Sequence, residues 1–392
     1  MEALNPVPVP AFELSYNGRA ITQDIAPYVM SATYTDHLTG EADSLDIELE
    51  DTDGRWLDRW YPEKGASLGY RFGYEDAPLI SAGRFDVDEL ELGGPPSTVR
   101  IKGLATGVQN AVRTRKGRAY EKTTLAAIAQ RIAKRHKMTL VGKIEPLQID
   151  RATQYQEGDL AFLQRLAGQY GYAFKVTENN TRLVFWKTAD LHLQKAIRSY
   201  APEDLASWSF RDKVSDVPAG VEVKHHNAKT KKLVVYGVKG DQVTEVGQTT
   251  TSTKKQSGQS ASGDTLKLST RSGSKAAAQA KAQAALDDAN LQQTAGSLTV
   301  PGNPKLVAGT TFWLTDCGKL SGKYLVESAR HRLDRGGGYV TELEVKRVAL
   351  PVTSGTGGTS AKKKSGKTLN VYGVQSSGQV GVVGTTEGSK KK

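Results

Sequence analysis

Ser44-Leu45-Asp46-Ile47-Glu48-Leu49-Glu50, running into Asp51-Thr52-Asp53-Gly54, is the stretch from which the fold is read. Leu45, Ile47 and Leu49 alternate with three acids, the period of two that places one face of a strand in a core and the other in water. The Asp-Thr-Asp-Gly run then supplies turn chemistry. Downstream the same grammar recurs, with strands expected over 67–74, 83–92 and 99–103. Glu75-Asp76-Ala77-Pro78 and Gly93-Gly94-Pro95-Pro96 separate them. The first hundred residues therefore predict a small antiparallel barrel or sandwich.

Beyond residue 110 the period changes. Leu125, Ile128, Ala129 and Ile132 fall at helical spacing, with Thr123 or Thr124 as cap and Lys134, Arg135, His136 and Lys137 in the last turn, where cations suit the helix dipole. A second helix is expected after Asp159, its stripe made by Leu160, Leu163, Leu166, Ala167 and Tyr170, with Gly171 ending it in the left-handed conformation. Strand character resumes at 182–186 and again over 221–225, 232–238, 310–314, 323–328 and 339–348. Residues 248–273 are Thr, Ser, Gly, Gln and Lys, too polar to stay compact alone. The alanine-rich helix over 274–292 has few large apolar groups and is expected to pack thinly, against a neighbour or another copy of itself. Four parts result: an N-terminal β-barrel over 1–109, a mixed α/β region over 110–206 that contributes to a second barrel and to connecting segments, a β-rich region over 207–350, and a flexible Gly/Ser/Lys-rich tail over 351–392.

Composition narrows the function classes. The apolar runs are far shorter than the roughly 18 residues a membrane helix needs, and no signal peptide is read at the start. The single cysteine, Cys317, can neither close an intrachain disulfide nor build a zinc site alone, and a reducing compartment is expected. Of the net charge of +11, a net +6 sits after Thr353, where seven lysines face one acid. The rest of the chain is only mildly basic and carries no basic stripe interleaved with stacking aromatics. Lys229, Lys231, Lys232, Lys254 and Lys255 suit at most a salt-dependent, sequence-independent contact with DNA.

No chemistry-bearing constellation survives inspection. Ala361-Lys362-Lys363-Lys364-Ser365-Gly366-Lys367-Thr368 fits the relaxed phosphate-loop spacing, but a Gly/Ser tail precedes it and a strand-like segment follows, where a buried strand and a helix are needed. His225 and His226 are adjacent on a strand and point to opposite faces, while His37, His136, His192 and His331 lack ligand spacing. Alternation about Phe85 and Val87 puts Asp86 and Asp88 on a solvent face, against a catalytic pair with Glu89 or Glu91. Catalytic, cofactor and metal residues are all expected to be none. One internal echo remains: Val235-Tyr236-Gly237-Val238 reappears as Val371-Tyr372-Gly373-Val374, followed by Gln242-Val243 and Gln379-Val380 respectively. It is either coincidence in a β-rich chain or two similar strands that pair onto similar sheet edges. The tail is expected to be mobile in isolation and to order by strand addition to a neighbour.

An ordered set of segments resembles the phage late control protein D family, which includes hubs of contractile tails and is related to the hub part of type VI secretion spike proteins. The set runs from Gly40-Glu41-Ala42-Asp43-Ser44-Leu45 and Ile47 to Asp51, through Gly54-Arg55-Trp56, Pro62-Glu63-Lys64-Gly65 and Gly83-Arg84-Phe85-Asp86-Val87-Asp88-Glu89, to Phe162-Leu163-Gln164-Arg165-Leu166-Ala167. Pro301-Gly302-Asn303-Pro304, the run from Tyr324 to His331 and Gly338-Tyr339-Val340-Thr341 close it. The resemblance covers about residues 10–350 and implies a mainly β chain with α/β additions. It further implies two similar small β-barrels per chain, assembling as a homotrimer with pseudo-sixfold symmetry. Such a baseplate hub joins a hexameric tail tube protein to a trimeric central spike protein. The tape-measure protein, baseplate wedge proteins and passing DNA are its further implied neighbours, in a virion assembled in the host cytoplasm. No interface residue is singled out. Two other classes stand beside it: a tail-tip peptidoglycan hydrolase, with Asp88 or Glu91 as the carboxylate to test, and a DNA-binding late regulator.

Overall fold

In the computed structural model the alternation about Leu45 becomes the Ser44–Glu50 strand, with Leu45 and Leu49 fully buried and Ile47 nearly so. The structure describes residues 8–63, 65–105, 114–177, 181–213, 220–227, 232–239, 242–246, 265–268, 275–349, 369–374 and 380–386. Ser44–Glu50 lies antiparallel between Val29–His37 and Thr98–Leu104. From Thr98–Leu104 the sheet continues through Ile80–Gly93, Ser67–Tyr74 and Pro10–Tyr16 to the two-residue edge Arg19–Ala20. Tyr70, Phe72 and Phe85 fill the core beneath it.

The sheet does not stop where the N-terminal segment stops. Val29–His37 pairs on its other side with residues 328–334 of the Gly322–Asp334 strand, which forms a long hairpin with Gly338–Ala349. Thr294–Pro301 and then Ser207–Asp212 extend it, and with Ser199–Tyr200 and Thr311–Leu314 the sheet reaches 13 strands. Among the described residues, the sheet of the N-terminal segment is thus continued by strands from the C-terminal part of the chain. The physical reason is strand length: at 13 and 12 residues the two hairpin strands outrun one core and serve two. Leu333 and Tyr339 pack with the N-terminal aromatics, whereas Tyr324, Val326, Ala329, Leu343 and Val345 pack with Leu298, Phe312 and Leu314.

A third core belongs to the α/β region. Lys116–Thr124 pairs antiparallel with Gln148–Glu157, and Tyr172–Thr177, Arg182–Lys187 and Thr139–Val141 form a small mixed sheet. Two helices, Leu125–Arg135 and Asp159–Gln169, bury Ile128, Ile132, Phe162 and Leu163 against these strands. Of the two caps expected, Thr123 or Thr124, it is Thr124 whose Oγ1 accepts from the Ala127 N–H, at 3.1 Å, and Gly171 takes φ +75° as the helix end requires.

A four-stranded sheet follows in the order Gln242–Val246, Lys232–Lys239, Gly220–Asn227, Thr265–Leu268. The polar stretch read as unable to order alone therefore contributes one strand, because Thr-Leu-Lys-Leu pairs parallel to residues 220–223; residues 248–264 and 269–273 lie outside the described ones. Lys275–Leu291 is the alanine-rich helix, and it packs on this sheet through Ala278, Ala282 and Leu286 against Val221 and Val223. Small side chains on that face let helix and sheet approach closely, and the partner is the chain's own sheet. Residues 1–351 make one compact unit and 352–392 another. Within the second, Leu369–Val374 and Val380–Thr386 form an antiparallel hairpin. The phosphate-loop-like residues 361–368 lie outside the described ones, and the element that follows them is this strand, where such a loop needs a helix. Among the described residues no helix is long and apolar enough to cross a membrane.

Candidate assembly surfaces and the charge clusters behind them

Two buried charge clusters stand out, one joining separate parts of the body and one inside the α/β region. In the first, Lys175 on Tyr172–Thr177 projects between Asp36, on Val29–His37, and Asp43, and its Nζ pairs with both carboxylates, at 2.8 Å from Asp43 Oδ2. Asp36 Oδ2 also accepts from the Ala308 N–H at 2.8 Å, and Asp43 Oδ1 from the His37 N–H at 3.0 Å. One cluster thus ties the N-terminal sheet, the α/β region and the C-terminal loop before Thr311–Leu314. Burial, opposed by Lys175 and aided by Asp36, pushes the Asp43 carboxyl up to about 7. A lysine inside Tyr-Ala-Phe-Lys-Val was the legible clue, since a cation in an apolar strand demands a partner.

The second cluster centres on Asp159, fully buried at the start of its helix. Its Oδ2 lies 2.7 Å from His136 Nε2, 2.8 Å from Arg135 Nη1 and 3.1 Å from Lys116 Nζ, and Oδ1 accepts from Gln154 Nε2 at 2.9 Å. Burial pulls its carboxyl upward, but the donors from Gln154, His136, Arg135 and Lys116 outweigh that and hold it well below the ordinary carboxylate range. The cations expected at the end of the first helix are there, and Arg135, with His136 just beyond the helix end, is spent on this carboxylate.

The remaining residues considered for chemistry are dispersed. Asp86 and Asp88 flank buried Val87 on the outer side of Ile80–Gly93, with a register shift between Val87 and Glu89. Glu89 stands opposite Lys102 and Glu91 opposite Arg100, an arrangement of cross-strand opposite charges on a solvated face. His331 is fully buried beside Phe72 and stacked on Tyr34, with Nδ1 2.8 Å from the Tyr339 hydroxyl; burial pushes its imidazole down to about 4, so the ring is neutral and packs as an aromatic. His37 lies 3.5 Å from Glu41. His225 and His226 are consecutive in Gly220–Asn227, as read. Cys317 precedes the short helical turn Gly318–Leu320, the turn-flanking position expected of it. Among the described residues no three His, Cys, Asp or Glu side chains are placed to hold a metal ion. Lys229, Lys231, Lys254 and Lys255 lie outside the described residues.

What is left unsatisfied is surface. Ser207–Asp212 is an edge of the 13-stranded sheet, paired only with Thr294–Pro301 among the described residues, and it carries Trp208 at 50% exposure. Among the described residues this edge therefore leaves backbone N–H and C=O groups without a second strand beside an exposed aromatic ring. The Pro301-Gly302-Asn303 turn stiffens the sheet behind it: Tyr74 donates to the Gly302 carbonyl at 2.8 Å, the Asn303 N–H donates to Thr341 Oγ1 at 2.9 Å, and Asn303 Nδ2 donates to the Tyr200 hydroxyl at 3.2 Å. A Cβ on Gly302 would stand 2.1 Å from the Tyr339 ring, so only glycine fits.

These features define a β scaffold in which one continuous sheet carries two cores, a buried charge cluster locks on an α/β region, and an edge is left open among the described residues. The chain belongs to the phage tail baseplate hub (GPD) family, whose model matches residues 110–337, more than half of its length. The probable baseplate hub protein of Escherichia phage 186 is 34% identical over 180 residues, 45% of this chain; the chain spans a little under half, 45%, of that curated relative. Among solved structures, a tail protein from Neisseria meningitidis MC58 superposes with a TM-score of 0.60 at 13% identity, over 88% of this chain and 100% of that one. The Escherichia coli c3393 protein, a type VI secretion component with similarity to the T4 tail proteins gp27 and gp5, gives 0.52 at 12% identity over 83% and 74%. At such identities these likenesses concern the fold alone.

Proposed function

We propose that this chain is a structural baseplate hub that acts as a symmetry adapter, joining a hexameric tail tube to a trimeric central spike without catalysing a reaction. The observation that carries the reading is the pair of β cores strung along one sheet and sharing the Gly322–Asp334 and Gly338–Ala349 hairpin, in a chain of the hub family. Three chains, each offering two β-barrel modules about a common axis, present six similar modules to a sixfold tube and three chains to a threefold spike. Tube, spike, tape-measure and wedge subunits are its partners in this reading. Its place is the virion tail, after assembly in the host cytoplasm. A threefold object seated on a sixfold one gains its stability from interface area and shape.

The test is solution mass. Light scattering is expected to give three times the 42.3 kDa chain mass, alone or upon addition of the cognate spike subunit. A strict monomer under all such conditions refutes the adapter. Turnover of peptidoglycan that disappears in Asp88→Asn or Glu91→Gln would install the hydrolase reading instead. Retention on DNA that collapses steeply with salt would favour the DNA-binding one.

A further inference from the structure

The α/β region meets the large sheet across a thin joint with a cavity beside it. The buried apolar part of that joint is Leu38, from the loop after Val29–His37, Ala173 from Tyr172–Thr177, Leu191, and Leu325 from Gly322–Asp334. A cavity of about 410 Å³ is lined by Leu38, Ala173 and Leu325, and also by Ala284 of the Lys275–Leu291 helix. The α/β core and the N-terminal core each bury many more side chains than the joint between them. A contact with few buried groups and space next to it opens at lower cost than the dense cores it connects.

The polar part of the joint is the cluster of Lys175, Asp36 and Asp43, in which two buried carboxylates share one ammonium. Fully ionised, it keeps one negative charge out of water without a counter-charge; a proton on either carboxyl leaves a neutral set. The other groups facing it do not supply the missing charge. Burial and the two carboxylates push the Tyr34 hydroxyl up, so it stays protonated, and His331, which feels Asp36, is neutral. His37 turns its ring to Glu41, and Glu327, whose carbonyl accepts from the Leu38 N–H, spends its carboxylate on Lys346 at 2.5 Å. Residues 306–310 bring no ionisable side chain. Asp43 is the carboxyl that keeps the proton: burial pushes it up to about 7, with Lys175 opposing and Asp36 assisting. Three backbone groups report on closure, since the Ala308 N–H donates to Asp36, the His37 N–H to Asp43, and the Phe174 N–H to Thr39 Oγ1 at 3.4 Å.

We infer that the Lys175-Asp36-Asp43 cluster is a proton-operated latch: it clamps the α/β region onto the large sheet while one carboxyl holds a proton, and it lets that joint open along the cavity once the proton has left for solvent. Both flanking cores stay folded as it opens. The sign follows from the two states of Asp43. In the opened joint its carboxyl meets water and returns to the ordinary value of about 4. Closure is therefore tightest below about pH 4, weakens about tenfold per pH unit up to about pH 7, and is constant above that. The device gives the chain a movable α/β arm whose seating is set by acidity, whichever partners the arm meets.

Hydrogen exchange of the full-length chain, followed by mass spectrometry from about pH 5 to about pH 8 and corrected for the intrinsic pH dependence of amide exchange, tests this. Opening at the His37, Phe174 and Ala308 amides is expected to rise about a hundredfold between about pH 5 and pH 7 and then to level off. Over the same range the amides of Leu45, Ile47 and Leu49 in the sheet, and of Leu163 and Leu166 in the α/β core, are expected to keep their protection. Asp43→Asn is expected to hold the three joint amides closed at every pH, and His37→Gln, which removes the imidazole next to the cluster, to leave the parent's slope in place. The series on the unaltered chain decides alone where Asp43→Asn does not fold. Joint opening that does not vary with pH, that rises in step with Leu163 and Leu166, that survives in Asp43→Asn or that vanishes in His37→Gln overturns the latch.

Discussion

Replacing Asp159 by asparagine tests whether the buried cluster holds the α/β region. The substitution keeps shape but removes the charge faced by Arg135 and Lys116, whose side chains are only 25% and 21% exposed, and by His136. Breaking a buried pair from one side costs about 3–5 kcal/mol, which for a body of this size lowers Tm by roughly 4–7 °C. The pH dependence has a definite sign. The folded carboxyl is held below its unfolded value of about 4, so its stabilisation is fully present above that pH and is lost as pH falls towards the folded value. Urea melts at pH 7 are therefore expected to separate Asp159→Asn from the parent by the full amount, and the gap is expected to narrow below about pH 4. A difference under about 1 kcal/mol at pH 7, the scale of an exposed ion pair, refutes the assignment.

Asp43→Asn acts with the opposite sign: burial has raised the Asp43 carboxyl to about 7, so the parent loses stability between about pH 4 and pH 7, and the variant, measured by the same melts, is expected to gain on it across that window. Gly302→Ala forces a methyl into the Tyr339 ring and is expected to cost about 1–3 kcal/mol in denaturant unfolding. Trp208→Ala is expected to leave the Tm of the single chain within about 2 °C. Covering the exposed half of the ring is worth about 3 kcal/mol, so sedimentation should show weakened self-association if the Ser207–Asp212 edge is a subunit contact.

The sequence by itself determined the local alphabet of this protein. The Leu45-Ile47-Leu49 alternation, the Thr124 cap and the Gly171 stop were all readable because side-chain period and capping chemistry act over a few residues, and each appears where the pattern put it. What only the tertiary structure decided is which segments share a sheet. Nothing near residue 109 announces that Val29–His37 takes its second neighbour from residues 328–334, since strand pairing across 300 positions leaves no local periodicity. The same holds for Lys175 reaching Asp36 and Asp43, and for His136, Arg135 and Lys116 meeting on Asp159. Charges are chosen locally, but their desolvation, and with it the need for one another, exists only once distant strands have closed over them.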